Sequence, residues 1–235
     1  MKRILTFILT FSMVIACLPI AAFAQADREV CDIDVDQFFR NAKITKVTED
    51  TVTFKNTDVL RRRSENGCTH IDKVSTTLSF VATDAAGLQE LETLSTTSSD
   101  KYLSKYDSTY TIKIYTRLYY TITTSNGHKY LDLTKVTGGI SGDGSGSSLI
   151  NGITIVGNSC VANQKGNNIN GGTSKHTKTK TISNSTRSWT FSDIPSSWVP
   201  VEDLGTNAVN AIYTVKLKRT TSTWSVSLSN NATSS

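Results

Sequence analysis

The residues best placed to do chemistry lie on one alternating run. Lys113, Tyr115, Arg117 and Tyr119 recur at every second position, so on a strand all four share one face. Aromatic rings so placed can stack on sugars or bases, and the two cations can meet an anionic wall polymer. The same four residues can instead pack on one another across strands, at roughly 0.2–1 kcal/mol per pair. Asp32, Asp34 and Asp36 also alternate. Clustered carboxylates suit Ca²⁺, but the run lacks the glycine and the downstream glutamate of a calcium loop and reads as solvated acid. His70, His128 and His176 show no H-x-H or H-x-x-x-H spacing and read as surface residues. No G-x-S-x-G elbow is present, and a Ser/His/Asp set drawn from 28 serines carries no information. No metal and no cofactor is expected.

These side chains must be held by strands. From Ser108, Tyr110, Ile112, Ile114, Leu118, Tyr120 and Ile122 place apolar groups at even positions. That period of two predicts a long strand with one face buried and the other, carrying Lys113 to Tyr119, solvated. Asn126-Gly127 then predicts a type I′ hairpin, and His128 to Val136 the return strand, closed by Gly138-Gly139. Ala211, Tyr213, Val215 and Leu217, then Trp224, Val226 and Leu228, predict a second hairpin with its turn at 220–223, and the chain is expected to fray from Asn230. Shorter strands are expected at 51–54, 74–83 and 153–156. Residues 175–182, polar on both faces and rich in lysine, read as a sheet edge, because edge lysines oppose pairing with another chain.

Trp189 and Phe191 belong to one further short strand, and 193–204 to a turn-rich crossing. Trp189, Trp198 and Trp224 read as core or sheet-edge packing rather than stacking platforms. Arg61, Arg62 and Arg63 read as a solvated loop. One clear helix is predicted, with Asp84 as its N-cap and Leu88, Leu91 and Leu94 at helical spacing. Residues 30–42 read as a strand or a short helix. Many short strands with regular turns and one short N-terminal helix predict an antiparallel β-sandwich of Ig-like or jelly-roll-like kind.

The N-terminus reads as an address. Lys2 and Arg3, the apolar run Ile4 to Ile15 and the A-x-A signal at Ala22-Phe23-Ala24 predict a secretory signal peptide over 1–24. The alternative is a lipobox at Val14-Ile15-Ala16-Cys17, with Cys17 lipidated and the chain anchored at the outer face of the membrane. Cleavage after Ala24 leaves one domain of 211 residues, 25–235, with net charge +3 and no transmembrane segment. It leaves Cys31, Cys68 and Cys160, and one Cys31–Cys68 disulfide with a free Cys160 is the simplest oxidised arrangement; three reduced thiols is the other. The modest charge and the absence of a nucleic-acid motif disfavour nucleic acid as a partner. The chain has 35 threonines beside its 28 serines, an excess that suits the solvated faces of alternating strands.

Several stretches occur in a telling order: Tyr119-Tyr120-Thr121, then Leu133-Thr134-Lys135-Val136-Thr137-Gly138-Gly139, Trp198-Val199-Pro200-Val201, Leu217-Lys218-Arg219 and Ser222-Thr223-Trp224. Over about residues 105–230 the chain resembles an uncharacterised group of secreted all-β proteins from Gram-positive gut anaerobes. The resemblance implies export and a β-sandwich; it implies no activity and no site residues, and 25–104 lies outside it. The expectation is a secreted, non-catalytic protein with a binding or cell-surface role, its partner a glycan or wall polymer on the Lys113–Tyr119 face. A secreted hydrolase is the alternative, and a concave pocket gathering acids or histidines would mark it.

Overall fold

The computed structural model describes residues 35–96, 111–142, 145–205 and 209–232. All of them belong to one compact unit, Ile33–Ser235, while the other, Met1–Asp32, lies outside the described residues. The signal peptide, Cys17, Cys31, Asp32 and Asp34 therefore fall outside them too.

In chain order the elements are α1 (Val35–Asn41), β1 (Lys43–Val47), β2 (Thr51–Glu65), β3 (Cys68–Ala82), α2 (Ala85–Thr96), β4 (Thr111–Ser125), β5 (His128–Ser141), β6 (Ile153–Asn167), β7 (Thr173–Thr181), β8 (Ser188–Phe191), β9 (Val201–Glu202), β10 (Val209–Arg219) and β11 (Ser222–Ala232). They form an antiparallel β-sandwich. The first sheet runs β1-β2-β3-β4-β5, with β8 and β9 one after the other along the outer edge of β5. The second runs β11-β10-β6-β7.

The main core lies between the sheets. Ile112, Ile114, Leu118, Tyr120 and Ile122 of β4 point into it, as their even spacing predicts, and meet Ala211, Tyr213, Val215 and Leu217 of β10. On β5 the inward set changes parity, from Leu131 and Leu133 to Val136 and Ile140. A bulge at Thr134 does this: Tyr119 pairs with Lys135 but Tyr120 with Leu133. Three hairpins turn on residues with positive φ. Asn126 and Gly127 (φ 51° and 82°) make the expected type I′ turn, and Asn66 and Gly67 (50° and 76°) make another between β2 and β3. Thr220 (53°) opens the third.

Four expectations are corrected here. Residues 61–63 are strand rather than loop, because β2 runs on to Glu65, with Arg63 paired opposite His70 and 3.8 Å from Asp72. β5 does not stop at Gly138-Gly139 but continues to Ser141. β11 reaches Ala232, and Asn230 is fully buried rather than frayed. The fourth concerns the outer face of the first sheet. Phe54, Leu78 and Tyr115 form one cross-strand row there, and Val52, Phe80 and Lys113 the next. Residues 30–42 yield the helix α1, whose Phe39 ring lies 5.4 Å edge-on from Phe54 and 6.4 Å from Phe80. Leu91 of α2 is buried on the same side of the sheet, against β2 and β3. Two helices thus make a third layer, which explains why the second half of β3 and the first half of β4 are buried on both faces.

The N-cap of α2 is as the sequence predicts. Gly87 N donates to Asp84 Oδ1 at 3.0 Å, and Asn151 Nδ2 donates to Asp84 Oδ2 at 2.7 Å. Asp84→Ala removes both bonds and is expected to cost about 1 kcal/mol. Urea denaturation measures it; an unchanged midpoint would show that the cap contributes nothing.

Candidate binding groove

The Lys113–Tyr119 face is not a free stripe. Lys113 is 8% exposed and Tyr115 1%. The Tyr115 ring lies across Gly139 on β5: a β-carbon there would sit 2.6 Å from Cε1 and 2.9 Å from the hydroxyl. Arg117 and Tyr119 are half-buried. The Tyr119 ring packs under Arg117 (Cζ 5.5 Å from its centre) and under Lys135 of β5 (Nζ 4.1 Å). These side chains pack on one another, so the solvated aromatic stripe expected from the alternation is absent at Lys113 and Tyr115 and occupied by cations at Tyr119.

The other sequence candidates are scattered. Nδ1 of His70 is 3.0 Å from Thr123 Oγ1, Nδ1 of His128 is 2.7 Å from Glu202 Oε1, and His176 stacks on Trp198 with ring centres 5.2 Å apart. Cys68 carries a free thiol at the start of β3; the expected partner Cys31 is outside the described residues. Cys160 is buried between the sheets, which pushes its thiol up to about 12. Burial raises the Asp132 carboxyl against a hydrogen bond from Gln164 that lowers it, whereas the bond from Lys178 holds the Asp193 carboxyl low. Among the described residues no three of His, Cys, Asp and Glu gather as a metal site. No described helix is long and apolar enough to cross a membrane.

What the structure does build is a groove at the open edge of the sandwich, where strand numbers are unequal. β11, the last strand of the second sheet, packs over β3 and β4. The inner face of β2 and β1 therefore projects beyond it, and the step between the sheets is a groove of about 460 Å³. Thr45, Thr51, Thr53 and Ser79 form its floor, and β11 from Trp224 to Ser229 forms its wall. Thr53 Oγ1 and Ser79 Oγ share a 2.7 Å hydrogen bond. At one end Thr48 and Thr51 donate to Asp50 Oδ1 at 3.0 and 3.1 Å. Further along the same edge Lys55 Nζ crosses from β2 to donate to Asn231 O at 2.8 Å, and burial lowers its pKa. Among the described residues, Lys46 and Asp50 are the only charged side chains of the lining, one of each sign. Trp224 and Val226 are half-buried, their inner sides against the main core.

No protein family model, curated protein or solved structure matches the chain.

The groove's chemistry is that of hydroxyls, one indole and a strand edge, suited to a neutral extended ligand. Sequence reading placed Trp224 in packing and missed the groove. The available signal was Ser222–Ala232 itself, eleven residues with no charge and no proline.

Proposed function

We propose that this protein is an exported, non-catalytic binding protein whose ligand is an extended, uncharged chain held in the groove between β1 and β11. The observation that carries the reading is the groove's make-up: hydroxyls and an indole beside a long strand edge. An acid–base pair for hydrolysis would need two matched titratable groups converging on one substrate atom; the described lining holds one ammonium, Lys46, and one carboxylate, Asp50, and no histidine, cysteine or second acid. Export is supported by the charged, apolar and A-x-A segments of residues 1–24 and by the resemblance of 105–230 to secreted all-β proteins.

The test is a screen of the mature chain against arrays of glycans, wall-polymer fragments and extended peptides, repeated with Thr45→Lys. Thr45 is exposed on β1, so the change puts a charge into the neutral groove without disturbing the core. Any true ligand is expected to bind at least 10-fold more weakly to Thr45→Lys. Hits that bind the variant equally well would show that the groove is not the site.

A further inference from the structure

Among the described residues the sandwich has four kinds of strand edge, and three are guarded against pairing with another chain. β7 carries Lys175, Lys178 and Lys180. β1 carries Lys43 and Lys46 and a register break between Ile44 and Lys46. β8 and β9 are four and two residues long. Lysines, bulges and shortness are the devices by which proteins blunt edges. β11 has none of them: it pairs with β10 over eleven residues without a register break, and it has neither charge nor proline.

The backbone of that edge faces the groove. Lys55 Nζ takes the carbonyl of Asn231 from the side away from β10. In a strand the N–H and C=O of one residue point the same way and alternate from residue to residue. Ser229, Ser227 and Ser225 therefore turn their main-chain groups outward, as Asn231 does. Their place in the groove lining agrees, since their side chains are exposed while Trp224, Val226 and Leu228 point toward the first sheet. The edge thus offers a donor and an acceptor every second residue, about 6.8 Å apart, and Lys55 closes it at Asn231.

Resting on the reading of the groove as the binding site, we infer that the ligand is polypeptide: one extended, uncharged segment of another protein, added to the second sheet as a strand beside β11. It lies over Thr51 and Thr53, covering the part of the first sheet that has no second layer. Its main chain pairs with Ser225, Ser227 and Ser229, and its inward side chains are small, apolar or hydroxylic, matching a groove whose Lys46 and Asp50 balance. A second copy of this chain does not fit. Antiparallel pairing of two β11 strands would put both projecting β1–β2 pairs on the same side. Each reaches about 10 Å past its own β11, so the two would occupy the same space. A lone strand brings no second layer and meets no such obstacle.

Amide exchange followed by NMR tests this on the intact mature chain. The probe is a set of acetylated nonapeptides with a lysine at each end and alternating Thr and Val, Thr and Ala, or Thr and Asp between. Saturating Thr/Val or Thr/Ala peptide is expected to slow exchange at Ser225, Ser227 and Ser229 at least 10-fold. The amides of Val226 and Leu228, already turned toward β10, stay unchanged. The Thr/Asp peptide and a fully N-methylated Thr/Val peptide are expected to fail. Ser227→Pro removes one outward N–H at a position where a strand edge tolerates proline, and is expected to weaken binding at least 10-fold. If that variant does not fold, the wild-type exchange pattern decides alone. Absence of binding by every peptide overturns the inference. So does a glycan or wall polymer that binds wild type but not Thr45→Lys and leaves the three serine amides exchanging freely, an outcome that retains the groove and removes only the polypeptide. Protection that rises with protein concentration without peptide, together with a doubled mass, would assign the edge to a second copy instead.

Discussion

Asn230→Asp is expected to destabilise the folded chain by about 3–5 kcal/mol at pH 7, the size of effect that follows when a charge is buried without a partner. Asn230 sits on β11 with no solvent exposure. Its Nδ2 donates to Ser75 O at 2.7 Å and to Thr116 O at 3.1 Å, joining the edge of the second sheet to β3 and β4 of the first. Its Oδ1 accepts no bond from the described residues. An aspartate would turn a second acceptor toward those two carbonyls, with no donor to offset the desolvation of its charge. The carboxyl escapes by holding its proton, so its folded pKa rises above the ordinary value of about 3.9. The sign follows. A group whose folded pKa is raised favours the folded state below its unfolded pKa, and that contribution is lost as pH rises through the folded value. The variant should therefore approach wild type near pH 3 and show its full deficit at neutrality. Urea titrations of both chains at pH 3.5 and pH 7 measure this. An equal deficit at the two pH values would mean that the damage is steric and that the Asn230 amide is not the tie between the sheets.

That tie was hidden in the sequence for an instructive reason. Asn230 follows the alternating Trp224, Val226 and Leu228 in the correct parity for burial, but an asparagine near a chain end reads as fraying unless its acceptors are known, and they lie 155 and 114 residues away. Features carried by local pattern were legible: the period of β4, the Asn126-Gly127 turn, the inward row of β10, the Asp84 cap and the lysine edge of β7. The far half of β2 was obscured because its arginines are exposed on both faces, which removes the alternation, although Asn66-Gly67 carried the same turn signal as Asn126-Gly127. The burial of Lys113 and Tyr115 could not be read from β4 alone, since it depends on what covers the outer face, and α1 and α2 come from elsewhere in the chain. The groove is further still from local pattern. It exists because the first sheet has seven strands and the second four, a consequence of which edges the late strands join.

The same distinction between face and cover governs a second large packing effect, where the Tyr115 ring lies on Gly139. The φ of Gly139 is not positive, so an alanine would be acceptable to the backbone and only space decides. A β-carbon would lie 2.5 Å from Arg187 O and 2.6 Å from Cε1 of Tyr115. Neither can yield cheaply: Arg187 O accepts the amide of Ile140 at 2.8 Å, and the Tyr115 ring is buried. Gly139→Ala should cost about 3 kcal/mol, the upper part of the range for overpacking. Tyr115→Ala should cost about 3–5 kcal/mol through the cavity left by the ring. The double variant separates the two obstacles. Removing the ring relieves only the clash at Cε1, so the double variant should be more stable than the sum of the single effects predicts, yet remain below Tyr115→Ala alone because the Arg187 carbonyl still stands in the way. Strict additivity would show that the ring does not lie on Gly139. This bears on how any binding experiment at that face is read. Tyr115→Ala would lose a glycan or polymer signal by unfolding the sheet, with no ligand contact involved. Arg117 and Tyr119 are the members of that face where a lost signal can report on binding, and only in a variant shown to keep its unfolding midpoint.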